Sequence, residues 1–138
     1  MHAQQMIRTH PHVRASTNDA LIRCIEECYD CAQTCTACAD ACLGEDRVKE
    51  LTQCIRLCLD CADVCVTTGQ LATRRTGSDE SLLKAMLDAC TQACQLCGQE
   101  CTKHATMHEH CKVCAEACQR CEKASRSAGP SVTPVSRQ

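Results

Sequence analysis

Eighteen cysteines in 138 residues fall into four clusters: Cys24, Cys28, Cys31, Cys35, Cys38 and Cys42; Cys54, Cys58, Cys61 and Cys65; Cys90, Cys94, Cys97 and Cys101; and Cys111, Cys114, Cys118 and Cys121. Within each cluster the steps alternate between four and three residues. That is the a/d spacing of a helical seam, and it places every thiol of a cluster on one stripe. Neighbours at i+3 and i+4 have Cβ atoms about 5–6 Å apart, wider than the roughly 3.5–4.5 Å that a disulfide needs. Disulfides between helices stay geometrically open. No signal peptide is visible in the opening MHAQQMIRTHPHVRAS, however, and the reading is a cytoplasmic protein whose thiols are kept reduced.

Such stripes lack the nucleophile–base–orienter pattern of a catalytic cysteine, so no enzyme is expected. They have the composition of a soft-metal store, because thiolates select Cu(I), Zn(II) or Fe–S clusters. Structural zinc takes isolated Cys₄ sites with loop spacing, which a continuous ladder does not supply. Ferredoxin-type runs are also absent. Cu(I) accepts two or three thiolates, and each sulfur can bridge to the next ion. One Cu(I) per thiolate leaves a buried column neutral, whereas Zn(II) at that count leaves a large positive excess, and unpaired buried charge is expensive. The expected ligands are therefore all eighteen thiolates, and the expected cargo is many Cu(I) ions per chain.

Beyond the last cysteines the two ends of the seam differ. Past Cys101 come His104 and then His108, and before Cys111 comes Met107. Imidazole and thioether are the other ligands suited to Cu(I), so these three residues are candidates at an open end shared with Cys42 and Cys54. At the opposite end the seam continues into Leu21, Leu83 and Leu87, which would plug it. Asp60, one position before Cys61, is a weaker candidate near the mouth. His2, His10 and His12 are weak N-terminal ligand candidates that read as solvent-exposed, and His110 reads as a solvent-exposed residue at the turn.

Four helices must carry these stripes. Ser16, Thr17 and Asn18 are N-cap candidates for a first helix running to Leu43, with Gly44 just past its end. Glu45 and Asp46 suit the first turn of a second helix, reaching about Arg75. Ser78 would cap the third, with Asp79 and Glu80 in its first turn and its end near Ala105. Thr106 and Glu109 form a T-x-x-E capping box for a fourth helix over 107–125. Short connections make these an all-α, antiparallel, up-down-up-down four-helix bundle over residues 16–125. Residues 1–15 read as an extension, irregular or carrying a short helix, and 126–138 as a disordered tail.

Composition agrees. The 44% apolar fraction is mostly Cys and Ala, and Leu, Ile, Val and Phe number only 21, so the core must be built largely of sulfur. A net charge of −2 and a single aromatic residue, Tyr29, exclude a basic or stacking surface for nucleic acid. No stretch has the length and apolarity of a membrane span. Ile55, Leu57, Leu59, Val64 and Val66, with Tyr29, lie off the thiol stripe and suggest contact with another subunit.

The ladders CIEECYDCAQTCTACADAC, CIRLCLDCADVC, CTQACQLCGQEC and CKVCAEACQRC, with HEHC opening the last helix, resemble the bacterial copper storage proteins of the cytosolic type. The resemblance covers about residues 15–125. It implies a homotetramer of four-helix bundles filled with Cu(I), with a His-bearing end where copper enters. A thiol-based metal or redox sensor and an Fe–S electron-transfer protein are the alternative readings.

Overall fold

The computed structural model describes residues 1–13, 18–77 and 79–132. A short helix α1 (Ala3–Arg8) precedes four long ones, α2 (Asp19–Leu43), α3 (Thr52–Thr73), α4 (Glu80–His104) and α5 (Glu109–Ala128). Among the described residues there is no strand. Each long helix packs on two others, α2 on α3 and α5 and α4 on the same pair, which closes a four-membered ring. Cross-helix sulfur contacts give the directions. Cys54 at the start of α3 meets Cys101 at the end of α4, and Cys65 near the end of α3 meets Cys90 near the start of α4. Likewise Cys28 meets Cys121 and Cys38 meets Cys111, so α2 and α5 are antiparallel too.

Local chemistry sets the helix ends. Asn18 caps α2 by accepting from the Leu21 amide at 3.0 Å, a contact of a kind worth about 1 kcal/mol. Gly44 follows its last residue as expected. Ser16, Thr17 and Ser78 lie outside the described residues, and Asp79 is the cap of α4, accepting from the Ser81 amide at 3.0 Å.

Three expectations need correction. The second long helix does not begin at Glu45. That carboxylate is bonded across to α5, a 3₁₀ turn (Val48–Leu51) intervenes, and α3 starts at Thr52. The Thr106–Glu109 capping box does not form either. The amides of Met107 and His108 both bond the His104 carbonyl, at 3.2 and 3.0 Å, which closes a tight turn and leaves Thr106 and Met107 outside any helix. Finally, residues 126–132 are folded. α5 continues to Ala128, a 3₁₀ turn (Gly129–Ser131) follows, and Val132 is buried while Asn18 donates to Ser131 Oγ at 2.9 Å.

The closed end is apolar. Leu21, Leu83 and Leu87 are all buried there, as the seam implies. α1 lies on the same end: Ile7 is buried, and His10 of the N-terminal segment hydrogen-bonds Thr76, just past α3. Of the outer-face aliphatics, Ile55, Leu57 and Val64 pack partly on the core, whereas Leu59 and Val66 are exposed. Tyr29 packs within the chain: its ring lies where a Cβ on Gly69 would sit (2.9 Å), so Gly69 lets α2 and α3 close around it.

Candidate metal centre

Every one of the eighteen thiols is free and buried, none more than 2% exposed. They form a continuous column along the bundle axis. Cys28 meets Cys90 and Cys121 at 3.8 Å; Cys65 meets Cys94 at 3.7 Å; Cys35 meets Cys114 and Cys118 at 3.7 Å; Cys58 meets Cys97 and Cys101 at 3.7 Å. Spacing alone admits zinc, since a tetrahedral site with Zn–S near 2.3 Å has sulfurs about 3.8 Å apart. The four-thiol sets overlap, however, which a row of isolated Cys₄ zinc sites would not do. The sets Cys31/Cys65/Cys94/Cys121 and Cys31/Cys35/Cys61/Cys118 have Cys31 in common. Cys35 and Cys118 recur beside Cys97 and Cys114. Cys38 and Cys54 belong both to a set with Cys58 and Cys101 and to one with Cys42 and Cys111. Isolated Cys₄ sites share no ligand, whereas bridging thiolates must.

Charge narrows the choice. The buried polar side chains other than cysteine are Thr68 and Ser125 alone among the described residues, so no fixed cation faces the column. Eighteen thiolates there require the cargo itself to supply the positive charge, and a monovalent ion does so one for one. At the histidine end, burial disfavours the thiolate form of two of the sulfurs. Burial, then repulsion from Cys54, pushes the Cys42 thiol up to about 11. Burial, then repulsion from Cys54 and Cys42, likewise raises Cys111.

The mouth departs from the seam rule. His104 turns to Glu100, with Nε2 2.9 Å from its carboxylate, and Met107 is 69% exposed. The imidazole that reaches sulfur is His110, read from the sequence as solvent-exposed. Its Nδ1 lies 3.4 Å from Cys38 Sγ and 3.6 Å from Cys111 Sγ. Its Nε2 is 2.9 Å from Glu45, which also meets His108 Nδ1 at 2.6 Å, and the two rings stack 5.5 Å apart. A proton on Nε2 shared with Glu45 leaves the Nδ1 lone pair facing the thiols, the arrangement by which a carboxylate orients a metal-binding histidine. The hydrogen bond from His110, with the nearby charge of His108, holds the Glu45 carboxyl below its usual range. Asp60 is turned outward and paired with Arg56 at 3.0 Å, so the structure does not bring it to the column. His2 bonds Gln5, while His10 and His12 pack edge-on by the closed end.

The copper storage protein (Csp) family model matches residues 17–129, a span that takes in all four thiol ladders. The chain belongs to that family. Among the solved structures it resembles is the copper storage protein Ccsp of Streptomyces lividans loaded with 10 copper equivalents: 50% identity over 93% of this chain and 98% of that one, with a TM-score of 0.89. Another is a cytosolic copper storage protein of the same organism with five coppers: 55% identity, 81% and 93% coverage, TM-score 0.80. No match was found among curated proteins.

Within this family member, reading along the stripe locates the thiols but gives no sign of the contacts that Glu45 and His110 make. His110 sits one residue before Cys111, off the stripe, and reaches the sulfurs because α5 begins only at Glu109. Glu45 has no local signal, since its partners lie 63 and 65 residues away.

Proposed function

We propose that this protein stores Cu(I), holding many ions per chain along the bundle axis through its eighteen cysteine thiolates, with His110 and His108 at the mouth where ions enter. One observation carries this reading: neighbouring four-thiol sets share sulfurs in a column with no internal countercharge. Storage and sequestration need no reaction, and no catalytic group is assigned. The description of a 55%-identical relative as cytosolic supports a cytoplasmic site of action. Exposed Leu59 and Val66 on one face of α3 support assembly of bundles into the homotetramer that the resemblance implies.

Proton release tests the reading. Thiols protonated in the free protein must each lose a proton to bind, so loading at neutral pH should release about one proton per Cu(I). Affinity should fall by about tenfold per displaced proton for each unit drop in pH. Anaerobic titration in weak buffer with a pH indicator, repeated one unit lower, measures both quantities. Copper uptake without proton release would contradict thiolate binding.

A further inference from the structure

The ladder of α5 does not end chemically at Cys121. The next step of four lands on Ser125, which continues the inward stripe and is 1% exposed. Hydroxyls inside helices ordinarily turn back to the carbonyl four residues earlier. Thr34, Thr67, Thr68 and Thr91 all do so here, at 2.7–3.0 Å. Ser125 does not. Its Oγ donates across the bundle to Cys90 Sγ at 3.4 Å and lies 3.8 Å from Cys24 Sγ. Thr68 occupies the corresponding step past Cys65 on α3, but its hydroxyl is engaged with its own helix. One step further on α2 and α4 stand the buried Leu21 and Leu87.

Cys24 and Cys90 are thus the last sulfurs before the plug. A thiolate in mid-column has neighbours on both sides and can bridge two ions. A terminal thiolate bridges fewer and keeps more negative charge, in surroundings that offer no buried cation. A hydroxyl oxygen is a hard, neutral donor that does not hold Cu(I), yet its proton can stabilise an anionic sulfur.

We infer that Ser125 is the end group of the metal column. Its position stops the column, and its hydroxyl takes the place of the copper that the Cys24 and Cys90 thiolates lack on their closed side. This rests on the storage reading above and adds to it a residue that sets capacity.

The test loads full-length wild type, Ser125→Cys, Ser125→Ala and Ser125→Thr with Cu(I) anaerobically, then counts bound ions by native mass spectrometry during competition with bathocuproine disulfonate. Circular dichroism checks that each is helical. Ser125→Cys should hold one ion more than wild type. Ser125→Ala should lose one ion at about tenfold lower chelator than wild type, and Ser125→Thr, which keeps the hydroxyl, should restore it. A merely structural role would change thermal stability without changing these counts. An unchanged count in Ser125→Cys overturns the end-stop, and an unchanged chelator profile in Ser125→Ala overturns the charge role. Wild type that takes up only about four ions would instead overturn the storage reading itself.

Discussion

Replacing His108 and His110 together with phenylalanine should slow both Cu(I) uptake and its extraction by a chelator about tenfold or more, while lowering the final copper content by only about one or two ions. Among the described residues no imidazole other than that of His110 hydrogen-bonds a sulfur of the column. Its thiols are buried throughout, its far end is closed by Leu21, Leu83 and Leu87, and α1 with the residues around Val132 covers that end again. At the near end His110 touches Cys38 and Cys111, and Glu45 ties it to His108. Imidazole holds Cu(I) less tightly than thiolate does, so an ion caught there can pass inward. His104→Phe should have a smaller effect, because that ring is engaged by Glu100. Stopped-flow loading from a chromophoric Cu(I) chelator measures the rates. A double variant that loads at the wild-type rate would place the entrance elsewhere.

The column was legible in the sequence because the four/three alternation has one geometric meaning, a stripe on a helix. Helices bearing such stripes on short connections must face them together. Asn18 and Gly44 were legible for a related reason, since caps answer to unpaired backbone groups close by in the chain. The mouth was not. There the backbone of 104–108 closes on the His104 carbonyl, a choice that the T-x-x-E pattern at Thr106 and Glu109 does not reveal. Glu45 leaves its own helix start for imidazoles on the last helix. Seam arithmetic therefore favoured His104 and Met107, whereas the contacts favour His110. Asp60 stands away from the column for a simpler reason: one residue off the stripe, with Arg56 one turn before it, is an outward position. Over 126–132 the tail reading failed because Ala128 and Val132 are small apolar anchors in a polar stretch, too sparse for a composition argument to register; residues 133–138 lie outside the described residues.

Leu87→Ala should destabilise the copper-free protein by about 2–5 kcal/mol, because Leu87 is 1% exposed and its loss leaves a cavity between the plug and the sulfurs. The effect is large for a core in which aliphatic residues are scarce and cysteine fills most of the axis. Copper loading should raise the stability of wild type and variant alike and leave the difference between them, since ions bound only to the folded state stabilise that state by mass action. Anaerobic urea unfolding of the copper-free and copper-loaded forms separates the two effects. A loss below about 1 kcal/mol in the copper-free form would mean that the plug collapses readily and contributes little closure.

The shared-thiolate column is tested most directly by its capacity. Reduced, metal-free protein titrated anaerobically with Cu(I), with free ion reported by a chelator, should bind about one ion per thiolate. That is roughly 18 per chain, plus about one or two at the histidine mouth, with no chelator signal before then. Saturation at about four ions, the number of separate four-thiol sites that eighteen sulfurs can form, would contradict bridging and with it the account of the column as a store.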